Sequence, residues 1–189
     1  MSAIAAPPMT APALLTAEEF AGRYAGQRVE LVKGHVEDLP MPFMKHGKVC
    51  FRTTMAIGSF LEAHDIGHVM TNDSWIVVDR GPDTVRGSDV CFVSYSRLAK
   101  GKVPDGLLDV VPELVFEVRS PSDRWTDMIG KMMEYLEASV SVVAILDPKT
   151  ESATVFRADD RELIFEKADT LEVPDVLPGF AVPVHWLFQ

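Results

Sequence analysis

The chain has 189 residues, of which 47% are hydrophobic and 24% are charged. This composition is typical of one soluble domain with a full core, and it excludes disordered, collagen-like and coiled-coil proteins. The 28 acidic and 18 basic side chains give a formal net charge of -10, which disfavours a protein that binds nucleic acid over a broad basic surface.

The sequence also limits the compartment of the protein. Its longest apolar stretches fall short of the roughly 18 residues of a membrane span, and residues 1–13 lack the basic segment of a secretory signal. We therefore expect a flexible arm over residues 1–15, one domain over residues 16–189 and a cytoplasmic location. Cys50 and Cys91 are too few for a disulfide framework and wrongly spaced for a zinc knuckle, so we expect both to be buried.

The chain begins with patterns of a short helix and a hairpin. Thr16 and Glu19 have the spacing of a capping box, which predicts a helix over residues 17–24. Alternating apolar residues around a Lys-Gly turn predict a β-hairpin over residues 28–39, with Glu30 on its first strand.

The next segments predict a long helix and a second hairpin. Apolar residues that recur near a period of 3.6 predict the helix over residues 45–64. Two β-branched runs, residues 69–79 and 85–94, are separated by Arg-Gly-Pro-Asp, which favours a turn between paired strands. Residues 96–109 are polar and contain glycine, as expected for a surface excursion.

A strand–helix–strand unit follows. Residues 113–118 and 141–146 are short apolar runs that predict strands, and a helical stripe between them ends near Ala138. Asp123 or Thr126 is expected to cap this helix. Because the connection is so short, the two strands are predicted to be parallel neighbours in one sheet.

The last part of the chain predicts strands over residues 153–157 and 163–167, paired as a hairpin. The tail, residues 177–188, is apolar and interrupted by proline. We expect its end, residues 182–188, to help to cover an interface with a second chain.

Two carboxylates interrupt strands that are otherwise apolar, Asp89 in the second hairpin and Glu117 in the strand that follows. Burying a carboxylate is costly unless it is paired or binds a metal. If these strands are neighbours, both carboxylates can converge on one point and hold Mg²⁺ or Mn²⁺ through oxygen ligands. The alternative is that each is a solvated or salt-bridged group near a strand end.

Lys131 is a third candidate, at the margin of the apolar stripe of the helix that follows Glu117. An ammonium beside a metal can orient or help to deprotonate a water molecule and can neutralise charge that grows on a phosphate. The alternative is a surface ion pair with Asp127 at i, i+4, worth about 0.3–0.5 kcal/mol.

Together these segments resemble the Uma restriction-endonuclease family of the PD-(D/E)XK nuclease superfamily. The similarity extends from about Thr16 to Phe188 and is carried by Val-Glu-Leu-Val-Lys-Gly at residues 29–34, Gly-Ser-Asp-Val at 87–90, Pro-Glu-Leu-Val-Phe-Glu-Val-Arg-Ser-Pro-Ser-Asp at 112–123, Lys-x-x-x-Tyr at 131–135 and Leu-Asp-Pro at 146–148. The resemblance implies an α/β fold with a restriction-endonuclease-like core, in which a mixed, twisted β-sheet is flanked by helices and carries additional β-hairpins.

The resemblance also implies roles for single residues. Asp89 and Glu117 match the metal carboxylates of the superfamily motif, and Lys131 matches the motif lysine, displaced to the next helix. Glu30 matches the family's N-terminal glutamate, an extra metal ligand or a group that positions water; the alternative is an ordinary hairpin carboxylate.

The sequence departs from the motif at two positions. Arg119 stands where the motif lysine usually lies, and because an arginine stays charged it can only clamp charge there. Ser88 replaces the proline before the first aspartate, which affects local backbone stiffness while the ligands are retained.

Several basic residues are weaker candidates for contacts with nucleic acid. Lys45, Lys48 and Arg52 form one basic helix face that can contact phosphates, as can Arg119, although such a face is often simply solvated. His46 on the same helix either contributes to the mouth of the site or is a surface histidine.

The expected function is Mg²⁺- or Mn²⁺-dependent endonuclease activity on phosphodiester bonds of nucleic acid, with DNA as substrate and a homodimer as the working form. The alternative is a catalytically inactive interaction or regulatory module with the same fold, such as a partner of a mobile element. Residues 1–60 carry 6 basic and 5 acidic side chains, whereas the rest of the chain is acidic. A phosphate-binding surface must therefore be local and draw on the N-terminal part.

Overall fold

The computed structural model describes residues 13–158 and 162–189. Its helices are α1 (Ala17–Tyr24), α2 (Met44–His64), α3 (Trp125–Glu137) and α4 (Val184–Leu187). Its strands are β1 (Val29–Val32), β2 (His35–Asp38), β3 (Gly67–Asp79), β4 (Thr84–Ser94), β5 (Leu114–Val118), β6 (Val142–Asp147), β7 (Ser152–Phe156), β8 (Leu163–Phe165), β9 (Thr170–Glu172) and β10 (Ala181–Pro183). The elements predicted up to residue 167 are confirmed, with shifts of one or two residues at their ends.

Eight strands form one mixed sheet in the order β2-β1-β4-β5-β6-β7-β8, and β3 pairs with β4 outside this path. All pairs are antiparallel except β5 with β6, where Leu114 lies opposite Val142 and Val118 opposite Leu146. The α3 helix connects these two parallel strands, so the predicted crossover is confirmed. The molecule is an α/β protein with a mixed sheet, flanking helices and additional hairpins.

Successive residues of a strand point to opposite sides of the sheet. Different elements cover these two faces. Phe92 and Phe116 pack on one face with α2 and the end of the chain. Cys91 and Val115 pack on the other face with the apolar stripe of α3. Cys91 is buried as predicted, whereas Cys50 on α2 is half-buried; both are free thiols.

The ends of two helices test the predicted caps. At α1 the capping box is confirmed: the Glu19 N–H donates to Thr16 Oγ1 at 3.2 Å, and the Thr16 N–H donates to Glu19 Oε2 at 3.1 Å. At α3 the predicted cap is wrong, because Arg124 is the N-cap residue and Thr126 lies inside the helix. The Asp123 carboxylate accepts a hydrogen bond from the Ser120 N–H instead, at 2.7 Å.

The predicted role of the tail is also wrong. Val182, Val184 and Leu187 are at most 5% exposed, and they pack in the core between α2 and the sheet. The chain returns through the short pair β9–β10 and α4, so that the tail covers an apolar sheet face of its own domain. An apolar pattern predicts that a segment is covered but does not say by which surface.

The end of the predicted N-terminal arm is attached to the first hairpin. Residues 1–12 of the predicted arm lie outside the described residues, and the chain after them is tied down where the Leu15 N–H donates to the Gly34 carbonyl at 2.9 Å. In the described part of the chain, each helix lacks the length or the apolar character that crossing a bilayer requires.

A substitution that shortens one side chain of the tail tests this packing. Leu187→Ala is expected to lower the free energy of unfolding by about 2–5 kcal/mol, because it leaves a cavity around a side chain that is 1% exposed. Leu163→Ala, at a side chain that is 45% exposed, is the matched control and is expected to cost below about 1 kcal/mol. Urea unfolding measures both; a Leu187→Ala variant with unchanged stability but a weakened oligomer would restore the interface hypothesis.

Candidate active site

The candidate site lies where two strands diverge from the same edge of β4. Strand β3 pairs along the length of β4, so β1 and β5 share its other edge. Strand β1 pairs there at Val85, and β5 pairs there from Val90 onward. The backbone of β4 between these two points faces a cavity of about 670 Å³. We call this gap the β1/β5 fork.

Side chains take the place of a neighbouring strand in the β1/β5 fork. The Gly87 N–H donates to Glu30 Oε1 at 2.9 Å, and the Gly87 carbonyl accepts a hydrogen bond from Lys131 Nζ at 2.8 Å. Buried backbone polar groups require partners. The gap in the sheet therefore draws a carboxylate from β1 and an ammonium from α3 to the same point.

Glu30 is 2% exposed and is far from an ordinary hairpin carboxylate. Its Oε2 accepts a hydrogen bond from Arg86 at 2.7 Å, and its Oε1 lies 3.0 Å from Lys131 Nζ. Arg86 in turn makes a bidentate pair with Glu134 of α3, at 2.6 and 3.0 Å. Burial acts to raise the pKa of Glu30, but the charges of Lys131 and Arg86 outweigh it and hold this pKa below its usual value.

Glu117 is also buried, on the face of β5 that packs against α3. Its Oε2 accepts a hydrogen bond from Lys131 at 3.0 Å, and its Oε1 accepts one from the Tyr135 hydroxyl at 2.9 Å. Burial raises the pKa of Glu117 to about 8 despite the neighbouring Lys131 charge, and the carboxylates of Asp89 and Glu30 add to the rise. A cation at this carboxylate would therefore take the place of a proton.

Lys131 is the common partner of these groups. Its ammonium contacts Glu30, Glu117 and the Gly87 carbonyl at 2.8–3.0 Å. The alternative of a surface pair with Asp127 is wrong, because Asp127 pairs with Arg124 at 2.8 Å. Burial acts to lower the pKa of Lys131, but the surrounding carboxylates outweigh it and raise this pKa above its usual value.

Asp89 lies at the end of the β4–β5 ladder. The register pairs Val90 with Phe116, and its continuation places Asp89 opposite Glu117. The ladder ends here because the Val118 N–H donates to Asp89 Oδ2 at 2.7 Å. The same oxygen lies 3.2 Å from His46 Nε2. Asp89 and Glu117 thus line the same cavity.

A β-bulge forms the wall of the cavity beside Gly87. The β3–β4 register shifts between Thr71 and Ser74, where Asn72 and Asp73 have positive φ angles of 71° and 54°. Asp73 pairs with Arg28, and both line the cavity. Bulges are common next to functional sites, where they re-aim side chains.

The four basic residues predicted to contact nucleic acid have different surroundings in the structure. Lys45 donates to the Pro148 carbonyl, Lys48 is exposed, and Arg52 stacks on Trp186 and donates to the carbonyl of the last residue. Arg119 pairs with Asp147 at 2.8 Å, beside the β1/β5 fork. The nucleic-acid contacts proposed for these four residues remain predictions.

Sequence reasoning missed Arg86, Glu134 and Asp73 as members of this site. Arg86 carries the same signal as Asp89, a charge within an otherwise buried strand. Glu134 lies one helical turn after Lys131, which is where a shared helix face predicts a neighbour. Asp73 was not predicted, because the bulge that places it at the cavity breaks the alternation of the strand.

Removal of the Lys131 charge is a test of this arrangement. Lys131→Met is expected to lower the free energy of unfolding by about 3–5 kcal/mol, because it leaves buried carboxylates without their cation. Lys100→Met is the matched control; Lys100 makes an exposed pair with Asp65, and its variant is expected to unfold like the wild type. Equal stabilities of the two variants would show that Lys131 does not compensate the carboxylates.

The pKa of Glu117 predicts a pH dependence of stability in metal-free protein. Between the ordinary value of 4.5 and about 8, the folded protein holds a proton at Glu117 that the unfolded chain has lost, so stability falls as the pH rises through this range. Glu117→Gln is expected to remove this slope. Unfolding of both proteins with a chelator from pH 5 to 9 measures it, and parallel curves would contradict the assignment.

Comparisons with known proteins agree with the geometry. The structure is similar to one described as "Crystal structure of a putative nuclease belonging to DUF820 from Anabaena variabilis ATCC 29413", with a TM-score of 0.79, 18% sequence identity and coverage of 92% of this chain and 97% of that chain. This likeness confirms the predicted nuclease-like fold. No curated protein matches the sequence. Residues 16–185 match Uma2, a family described as "Putative restriction endonuclease", and the chain therefore belongs to the Uma2 family.

Proposed function

We propose that the protein is a metal-dependent endonuclease that hydrolyses phosphodiester bonds of DNA. The observation that carries this proposal is the convergence of Glu30, Asp89, Glu117 and Lys131 on the cavity of the β1/β5 fork. The family description supports it, since restriction endonucleases cut DNA.

The residues present fit a divalent cation. Asp89 and Glu117 would hold it, because they offer carboxylate oxygens at facing positions of neighbouring strands. The raised pKa of Glu117, caused first by its burial, supports a site for additional positive charge beside this carboxylate. A bound divalent cation would supply Lewis-acid stabilisation of the charge that develops on the phosphate during hydrolysis.

Lys131 would act as a fixed cation and not as a base. Its Nζ donates to Glu117 and to the Gly87 carbonyl and lies 3.0 Å from Glu30 Oε1, an arrangement that favours the ammonium form. An ammonium held in this way can orient water and stabilise negative charge on a phosphate oxygen. Water adds to phosphorus, the P–O bond to the leaving oxygen breaks, and one water proton ends on that oxygen, so that the products carry a phosphate and a hydroxyl at the new ends.

Glu30 would position Lys131 and the β4 backbone. Both of its oxygens are already engaged, one by Gly87 and Lys131 and the other by Arg86. This supports a role in fixing the position of Lys131 and the β4 backbone, which differs from the metal-ligand and water-positioning roles that the family resemblance implies. Arg86 and Glu134 extend the network to α3 and fix the helix relative to the sheet.

Cleavage assays test the proposal. Purified protein is incubated with linear, supercoiled and single-stranded DNA and with RNA, in Mg²⁺, Mn²⁺ or a chelator. We expect metal-dependent DNA cleavage that falls by at least about 100-fold in Asp89→Asn and Glu117→Gln. Asp65→Asn, an exposed aspartate paired with Lys100, is the control that keeps the wild-type rate.

The outcomes separate the two functional hypotheses. Cleavage that survives in both site variants would contradict the assignment of the site. Metal binding without cleavage of any substrate would favour the inactive interaction or regulatory module. RNA cleavage alone would contradict the choice of DNA.

The homodimer and the cytoplasmic location remain predictions. Because Val182, Val184 and Leu187 are packed inside the domain, a dimer needs a surface other than these side chains. Light scattering on the purified protein measures whether a dimer forms.

A further inference from the structure

His46 approaches the candidate metal centre from the opposite side to Lys131. It lies in the first turn of α2, and its side chain is only 12% exposed. Its Nε2 lies 3.2 Å from Asp89 Oδ2, and both residues line the cavity that also contains Glu117. An imidazole nitrogen is thus within one ligand spacing of a carboxylate proposed to bind metal.

Cys50 contacts the other nitrogen of the His46 ring. It follows His46 by one helical turn, and its Sγ lies 3.5 Å from His46 Nδ1. The ligand atoms of His46, Cys50 and Asp89 all lie within 4.8 Å of one another. Asp89 lies beside Nε2 of this ring, and Cys50 lies beside Nδ1. Because one cation binds only one nitrogen of an imidazole, a metal on His46 is shared either with Asp89 through Nε2 or with Cys50 through Nδ1.

The arrangement matches the usual environment of a metal-binding histidine. Such a histidine presents one nitrogen to the metal while a neighbour orients the ring through the other. Cys50 Sγ lies beside Nδ1 of the His46 ring. Nε2 is the nitrogen left to face Asp89.

We propose that His46 is a third ligand of the metal centre, through Nε2, and that it makes the centre prefer a first-row transition-metal dication to Mg²⁺. The inference rests on the proposed function and specifies its metal. Mg²⁺ takes oxygen ligands almost exclusively, whereas imidazole favours transition metals. The competing explanation is that His46 is a protonated partner of Asp89 and never touches a metal.

Pulsed electron paramagnetic resonance of bound Mn²⁺ distinguishes these explanations. Full-length protein is stripped with a chelator and loaded with Mn²⁺, and electron spin-echo envelope modulation detects nitrogen bonded to the ion. We expect ¹⁴N modulation in the wild type, its replacement by ¹⁵N modulation when histidine is ¹⁵N-labelled, and its loss in His46→Gln. His64→Gln, on the exposed last turn of the same helix, is expected to keep the signal.

Competition between the two ions gives an independent readout. In His46→Gln the ratio of Mn²⁺ to Mg²⁺ affinity is expected to fall by about 10-fold or more, the size typical of a lost metal-site interaction. If His46→Gln does not fold, the labelled wild type shows whether a histidine binds the ion, and a signal that persists in His35→Gln, His64→Gln, His68→Gln and His185→Gln assigns it to His46.

The possible failures are distinct. Mn²⁺ that binds without nitrogen modulation, or with modulation that persists in His46→Gln, overturns the role of His46 and leaves the proposed nuclease intact. Wild-type protein that binds neither Mn²⁺ nor Mg²⁺ removes the metal centre and with it both proposals.

Discussion

The centre of the molecule depends on one buried ammonium among buried carboxylates. Lys131 Nζ reaches Glu30, Glu117 and the Gly87 carbonyl at once, and so connects α3 to strands on both sides of the β1/β5 fork. Replacing such a cluster by apolar side chains usually costs little stability or even adds some, whereas removing one partner is expensive. A network of this kind is therefore poorly explained by stability alone and is typical of a site that uses charge.

The sheet topology explains why the charges collect there. Strands β1 and β5 leave the same edge of β4 free around Gly87, and a free edge inside a protein must be satisfied by something other than a strand. Polar side chains meet this need, and the cavity that results is both polar and close to the backbone. The site is thus a consequence of how the sheet divides.

Much of this arrangement is visible in the sequence, and the physical reason is the cost of burying charge. Asp89 and Glu117 were identifiable because each interrupts an apolar strand, and Lys131 because it borders an apolar helical stripe. The pairing of β4 with β5 followed from their order along the chain. Periodicity also located the hairpins and the helices, since each repeats one contact pattern over several residues.

Features that depend on distant contacts could not be predicted in this way. His46 was left open between the mouth of the site and the surface, because it precedes Asp89 by more than forty residues and no local pattern indicates that the first turn of α2 lies beside β4. The tail is apolar whether it covers its own sheet or another chain. The predicted cap of α3 was wrong for a local reason, because the Asp123 carboxylate accepts a hydrogen bond from the Ser120 N–H in the preceding turn.

The acidic charge of the chain acquires a specific meaning at the β1/β5 fork. Lys131 and Arg86 pair with Glu30, Glu117 and Glu134, and Asp89 pairs with His46, but among the described residues that line the cavity acidic side chains still outnumber basic ones. A phosphate would be repelled from such a cavity, and the net charge of -10 adds to this repulsion at longer range. A bound dication would offset this local excess of negative charge. The same acidity that opposes broad binding of nucleic acid therefore makes approach of a phosphate to this site conditional on the metal.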